Sequence, residues 1–340
     1  MKSLMAIEKG RLAFQELPIL SEPQGTDVNI RILAAGICGS DLHIWHGTNP
    51  FATYPRVLGH EIIGEITGIG PDAKNLSVGD RVIVNQLRSC GQCYACRIGR
   101  PNVCKSLNVV GVHLDGGFQE SMQLPESSAI LLPDNLAATD AVMIEPLSIA
   151  VQGCWRVGLT KDDTLLILGA GALGSSLLRV ARNSGAKIIM ADVAEEKLTL
   201  ALQNGADHTI NTKKQDLQVG LEMVTDGYGP TAAIDAACFH GSLQLLLKVI
   251  GNAGRIVTMG FSTDEDQLSP VQITGKEIDI RGSRLQSNKF PEVIEMVRNG
   301  KLSLDGMVSH VFPFSKAIEA MELAASGRSD VQKVVLDMTL

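Results

Sequence analysis

The sequence predicts an α/β protein in which a β-rich region is interrupted by a complete α/β domain built on a parallel sheet. Three observations predict it: a change of texture near residue 150, a glycine-rich turn between a strand and a helix, and four cysteines crowded between positions 90 and 104. Residues 28–35, 57–70 and 81–84 are short β-branched runs punctuated by Gly and Pro, the pattern of an irregular all-β region. Gly64, Gly68, Gly70 and Gly79 fall where a barrel would turn its corners. From about residue 150, strand-like runs at 164–168, 187–192, 208–210, 232–237 and 255–261 alternate with helical stretches at 172–184, 194–204, 215–226 and 241–250. Strands separated by helices form βαβ units and hence a parallel sheet. Helices at 290–299 and 315–325 and a strand at 331–337 then return the chain to the first region. The expected domains are residues 1–150 with 285–340, and residues 151–284.

Length and composition agree with two domains. The chain has 340 residues, 45% hydrophobic and 20% charged, enough apolar material for a sizeable core. Its net charge is 30 − 37 = −7, and no Lys/Arg block occurs. Neither nucleic acid nor an anionic membrane is an expected partner. Charges interrupt the N-terminal segment where a signal peptide needs an apolar stretch, and no apolar run nears ~18 residues, so a soluble cytoplasmic protein is expected.

Gly169-Ala-Gly171-Ala172-Leu173-Gly174 follows the strand 164–168 and opens a helix, and Asp192 ends the next strand, 192 − 171 = 21 residues after Gly171. The first glycine permits the tight turn, the second lets backbone approach a pyrophosphate, and the third lets helix and strand pack closely. The helix N-terminus offers free N–H groups to phosphate. Asp192 suits the adenosine ribose hydroxyls and repels a 2′-phosphate, which favours NAD(H) over NADP(H); Lys197 lies within reach of the same ribose.

Cys90, Cys93, Cys96 and Cys104 supply four thiolates on one loop, the pattern of a closed structural zinc site, with an iron–sulfur cluster as the rival. A second, dispersed set comprises Cys38 in GICGSDLH, His60-Glu61 in GHE and Glu145 before Pro146. One thiolate, one imidazole and one or two carboxylates can hold zinc and leave a position open. Spacing alone does not join these positions. Cys154 and Cys238 are expected in the core.

These motifs, with IEP at 144–146 and GSR at 282–284, resemble those of the zinc-containing medium-chain dehydrogenases, in family order and over essentially the whole chain. The resemblance implies a GroES-like β-rich catalytic domain and a Rossmann domain, with the active site between them. Glu145 stands where ordinary alcohol dehydrogenases carry cysteine, which is similar to the sorbitol/polyol branch. GVHLDGGF (111–118), ITGKE (273–277) and SRLQSNKFP (283–291) are similar to bacterial starvation-sensing and L-galactonate or L-gulonate 5-dehydrogenase-type proteins.

Carried over by position, the resemblance makes Cys38 and His60 ligands of a catalytic zinc, with Glu61 as third ligand and Glu145 either binding zinc or holding its water. Two zinc ions per subunit and NAD(H) are the implied cofactors. Asp41 orients the imidazole, and Ser40 and His43 fall at proton-relay positions, with the nicotinamide ribose between them. Arg284 either pairs with a substrate carboxylate or serves nicotinamide or zinc-bound water. Lys289, His113, Trp45, Phe51 and Phe118 are further pocket candidates. The implied reaction oxidises a secondary hydroxyl of a sugar acid or polyol. Threonine or other alcohol oxidation, and an NAD-binding regulatory protein, are the alternatives. Strands 255–261 and 277–281 resemble those that join family members into a homodimer or homotetramer.

Overall fold

A computed structural model describes residues 1–261 and 265–340. It contains two compact units, Met1–Glu145 with Phe290–Leu340, and Pro146–Lys289. No helix among the described residues is long and apolar enough to cross a membrane.

The first unit opens on an antiparallel hairpin, β1 (Lys2–Glu8) and β2 (Arg11–Glu16), with β4 (Arg56–Val57) added to β1. Its main sheet is built on β3 (Asp27–Ile37), which pairs antiparallel with β5 (Glu61–Ile69) and β9 (Ser121–Pro125). β6 (Arg81–Val84) extends β5, and β10 (Ala129–Leu131) extends β6. Alternating β-branched residues explain this layer: Val28, Ile30, Ile32, Ile62, Ile66, Val82 and Val84 share one buried cluster. β7 (Leu87–Arg88) and β8 (Asn108–Val109) form a separate two-stranded ladder at the base of the cysteine loop. Helices α1 (Gly39–His46), α2 (Tyr94–Arg97) and α3 (Ala138–Ala141) are short, and α4 (Ile144–Val157) leads out of the unit. Neither α1 nor α4 shows in the strand-and-turn texture of the sequence.

The second unit is a six-stranded parallel sheet: β11 (Thr164–Leu168), β12 (Lys187–Asp192), β13 (His208–Asn211), β14 (Ala232–Asp235), β15 (Arg255–Thr258) and β16 (Asp279–Gly282). The spatial order β13-β12-β11-β14-β15-β16 is doubly wound and reverses direction between β11 and β14, the crevice where such sheets bind dinucleotides. Helices α5 (Ala172–Ala181), α6 (Glu195–Gln203), α7 (Leu217–Val224), α8 (Ser242–Val249) and α9 (Pro270–Thr274) complete the unit. The strands expected at 232–237 and 255–261 stop earlier, at Asp235 and Thr258. Beyond Asp235 the chain bends through Cys238 at φ 53°, and this half-buried thiol is not the core residue expected; Cys154 is buried.

The chain re-enters the first unit through α10 (Phe290–Arg298), β17 (His310–Pro313), α11 (Ala317–Ala325) and β18 (Val334–Asp337). β18 pairs antiparallel with β3 and parallel with β17. Strands from opposite ends of the sequence thereby lie side by side, and the consequence is chemical.

Candidate metal centre and dinucleotide loop

The order β5-β3-β18 sets three chain segments in a row. In register, Gly36 faces Glu61 and Ile37 faces Val334, so Cys38 after β3, Glu61 at the start of β5 and Lys333 before β18 converge. Gly36 must lack a side chain there, because a Cβ would overlap the Glu61 carboxylate. Potential ligand atoms of Cys38, His60 and Glu61 all lie within 4.8 Å of one another, and His60 and Glu61 are buried. One soft thiolate, one imidazole and one carboxylate at that spacing fit a zinc ion with room for a fourth ligand.

The surroundings orient the set. Asp41, fully buried in the first turn of α1, accepts the N–H groups of Cys38 and Gly59, and its Oδ1 lies 3.6 Å from His60 Nδ1. The other ring nitrogen, Nε2, lies 3.4 Å from Ser40 Oγ. An aspartate behind one nitrogen frees the other for metal. Glu145 lies outside the three-residue group; its Oε1 accepts a 2.6 Å hydrogen bond from Nε2 of Gln86, which is fully buried.

Two residues of this neighbourhood carry no signal in the sequence. Lys333 Nζ donates to both Glu61 oxygens, at 2.6 and 2.7 Å, and to the Ile37 carbonyl at 3.2 Å. Gln86 is the other. A lysine beside an apolar strand reads as a solvated end, and an isolated glutamine reads as nothing. Only the cross-sheet pairing shows that Lys333 balances Glu61, so Glu61 has a cation partner before any metal arrives.

Burial would depress the His60 imidazolium, but Asp41 and Cys38 overcome it and hold the pKa well above 6.5. Burial pushes the Glu145 carboxyl up to about 7, the His60 and Lys333 charges pulling against it and Glu61 adding to it. Both shifts are upward, so each contributes metal-free stability that is full below the unfolded value and fades as pH rises through the folded one. Zinc needs neutral imidazole, so uptake by metal-free protein is expected to release protons at pH 7. Affinity is expected to rise up to about tenfold per pH unit while His60 is protonated. Titration calorimetry in buffers of different ionisation heat checks this; a heat independent of buffer would contradict it.

The second metal-type group is Cys90, Cys93, Cys96 and Cys104, with ligand atoms again within 4.8 Å of one another. Three sulfur–sulfur separations are 3.4, 3.6 and 3.9 Å. A tetrahedron with Zn–S near 2.3 Å has an edge of about 3.8 Å, so the loop matches a four-thiolate zinc site. The Cys93 N–H donates to Cys90 Sγ at 3.4 Å, and backbone N–H groups of Gln92 and Cys93 pull the Cys90 thiol down to about 6. None of the seven cysteines is in a disulfide.

In the second unit, Gly171 caps α5 without any side-chain hydrogen bond, leaving the N–H groups at Ala172 and Leu173 for a ligand. A Cβ on Gly174 would overlap the Gly169 carbonyl, so helix and strand could not otherwise meet. Asp192 Oδ2 accepts the Ala170 N–H at 2.6 Å and Oδ1 the Ala194 N–H at 2.9 Å, fixing the carboxylate beside the glycine turn. Lys197 lies half-buried on α6.

The remaining candidates scatter. His43 Nδ1 meets Thr48 Oγ1 at 2.9 Å. His113 Nδ1 accepts the Val109 N–H, and its ring lies 6.1 Å from that of Phe51. Trp45 stacks on His46. Phe118 is fully buried with its ring against Gly59, so it supports the chain before His60 and does not line a pocket as expected. Arg284 lies over the Phe261 ring, 5.6 Å from its centroid, and Lys289 lies 5.7 Å from that of Trp155.

Residues 24–134 match the family described as "Alcohol dehydrogenase GroES-like domain", and residues 172–299 match "Zinc-binding dehydrogenase". The starvation-sensing protein RspB of Escherichia coli is 40% identical over 99% of both chains. The chain belongs to the zinc-type medium-chain dehydrogenases. Within this family the L-galactonate-5-dehydrogenase of E. coli is 32% identical over 95% of this chain and 94% of its own. The crystal structure of an E. coli RspB, described as a short chain alcohol dehydrogenase complexed with NADH, superimposes with a TM-score of 0.93 at 38% identity, covering 99% of each chain. This medium-chain dehydrogenase is thus a zinc-dependent oxidoreductase of the alcohol, polyol and sugar-acid class, and zinc and a nicotinamide dinucleotide are the cofactors of its family.

Proposed function

We propose that this dehydrogenase oxidises a secondary hydroxyl of a sugar acid, of the L-galactonate or L-gulonate type, with NAD+. The group of Cys38, His60 and Glu61 carries the reading, because it supplies three zinc ligands and so leaves the fourth position of a tetrahedron for substrate or water. The sugar-acid choice is supported by the relative named L-galactonate-5-dehydrogenase and by Arg284, whose guanidinium has the bidentate geometry a carboxylate needs. Zinc held there would supply the Lewis acid that lowers the pKa of a substrate hydroxyl, and a bound nicotinamide would supply the hydride acceptor.

The chain's own groups do the rest. Cys38, His60 and Glu61 would hold the metal, Asp41 orients the His60 ring through its Nδ1 side, and Glu145, tethered by Gln86, would hold water or complete the ligand set. Ser40 accepts the hydroxyl proton as it gives up its own to the relay, and His43 takes the relayed proton and releases it to solvent. Gly169, Gly171 and the N-terminus of α5 receive the pyrophosphate, while Asp192, with Lys197 nearby, selects NAD(H). Cys90, Cys93, Cys96 and Cys104 hold the structural zinc. The GroES-like catalytic domain comprises residues 1–150 and 285–340, and the Rossmann domain residues 151–284. His113 and Trp45 flank the substrate side. The strand segments 255–261 and 277–281 join subunits into a homodimer or homotetramer, and the enzyme works in the cytoplasm.

A neutral polyol is the second reading, favoured by the carboxylate at position 145. NADH formation on a panel of L-aldonates, polyols, threonine and simple alcohols separates them. Turnover on an L-aldonate that falls about 100-fold in Arg284→Leu, with polyol oxidation changed less than about threefold, is the expected result. Activity on neutral polyols alone would overturn the sugar-acid choice, and silence across the panel with NADH still bound would favour a regulatory protein.

A further inference from the structure

Two aspartates frame the glycine turn of the second unit. Leu168, the last residue of β11, lies between Ala191 of β12 and Asp235 of β14 in the sheet register. On the β12 side Asp192 holds the Ala170 N–H. On the β14 side the Leu168 carbonyl accepts the Ala236 N–H at 2.9 Å. There the Ala236–Ala237 backbone packs on Gly169, where a Cβ would come within 2.9 Å of the Ala237 nitrogen. The wall behind the turn is therefore the bend that follows β14.

That bend is strained and is held from inside. Cys238 lies in the left-handed region at φ 53°, which a residue with a side chain keeps only where its surroundings fix it. Asp235, 1% exposed, supplies the fixing. Its Oδ1 accepts the Cys238 N–H at 2.8 Å and the Ala237 N–H at 3.2 Å, and its Oδ2 accepts the hydroxyl of Ser242, the first residue of α8. One buried side chain thus ties both ends of the bend. Beyond it lies Gly260, where a Cβ would come within 2.9 Å of that of Cys238, so the bend is wedged between the ends of β11 and β15.

We propose that Asp235 is a positioning residue for the dinucleotide. It fixes the bend against Gly169, and Gly169 in turn carries the first turn of α5, which packs on its carbonyl at Gly174. The N–H groups at Ala172 and Leu173 are thereby set in place before the pyrophosphate arrives, and a preset site spends less of its binding energy on ordering itself. The inference rests on the pyrophosphate reading of the glycine turn.

The test is the affinity of the zinc-loaded enzyme for NADH, read by the cofactor's fluorescence. Asp235→Ala is expected to raise the Kd for NADH and the KM for NAD+ about tenfold, with kcat at saturating NAD+ changed less than about twofold and the zinc content unchanged. Asp235→Asn is expected to stay within about threefold of wild type, because its Oδ1 still accepts both N–H groups and its Nδ2 donates to the Ser242 hydroxyl. An unchanged Kd in Asp235→Ala, or an Asn variant as weak as the Ala variant, would overturn the proposal. If Asp235→Ala fails to fold, Ser242→Ala decides it: about threefold weaker NADH binding is expected, and an unchanged Kd would count against Asp235. Gly171→Val tests the reading beneath, since a Cβ there has nothing within 4 Å and obstructs a ligand before it obstructs the fold. Unweakened NADH binding in Gly171→Val would remove the pyrophosphate from this turn and the proposal with it. NADH binding lost in Gly171→Val but kept in Asp235→Ala would sink the role of Asp235 alone.

Discussion

A Lys333→Met variant is expected to lose about 3–5 kcal/mol of stability in the metal-free state, the cost of breaking a buried ion pair from one side. Methionine matches the length of the lysine stem but leaves the Glu61 carboxylate without its cation. The pair is closed to water: Lys333 is 4% exposed and Glu61 is 1% exposed. Burial pushes the Lys333 ammonium pKa down, but Glu61 and Cys38 hold it above the usual lysine value, so the lysine stays charged at neutral pH. Adding Glu61→Gln to Lys333→Met removes the stranded charge and is expected to recover much of the loss. Zinc, by supplying a new cation to Glu61, is expected to recover part of it as well. Denaturant unfolding of wild type, both single variants and the double variant measures the coupling directly. A Lys333→Met protein within about 1 kcal/mol of wild type would show that Glu61 does not depend on Lys333.

The Rossmann unit was legible in the sequence because its information is local. Each strand is a short apolar run, each helix follows within a few residues, and the GAGALG turn and Asp192 belong to one βαβ unit. The cysteine loop was legible for the same reason. The candidate metal centre was different: Glu61 and Lys333 are 272 residues apart, and Gln86 and Glu145 are 59 apart. No periodicity connects such positions, and only the family resemblance placed Glu145 beside Cys38 and His60. Phe118 was a pocket candidate although an aromatic in a β-rich domain is more often core, and the burial of its ring against Gly59 decides for the core. Cys238 misled because the apolar run that contains it outlasts the strand by three residues, into the turn after Asp235. Helix α1 was missed because its short stretch, GSDLHIWH, buries only Asp41 and Ile44 and so shows no apolar stripe.

The largest effect on turnover is expected from Cys38→Ser. Serine is nearly isosteric, but its hydroxyl stays protonated where the thiol yields a soft anionic ligand, so the cradle loses both a charge and its best zinc donor. The fold has no comparable stake in the sulfur, because β3 and α1 are held by their own hydrogen bonds and by Asp41. Losing Lewis-acid stabilisation of the alkoxide costs several kcal/mol of transition-state energy, a fall of at least about 10³-fold in kcat/KM. The four-cysteine loop is untouched by this change and keeps its own ion. The most direct measurement is therefore the zinc content of purified wild type and Cys38→Ser, set beside their rates of NADH formation. Two zinc ions per wild-type chain, one in the variant, and turnover lost with the missing ion is the result expected. A variant that keeps both ions, or that keeps its turnover with one, would contradict a catalytic metal at Cys38, His60 and Glu61.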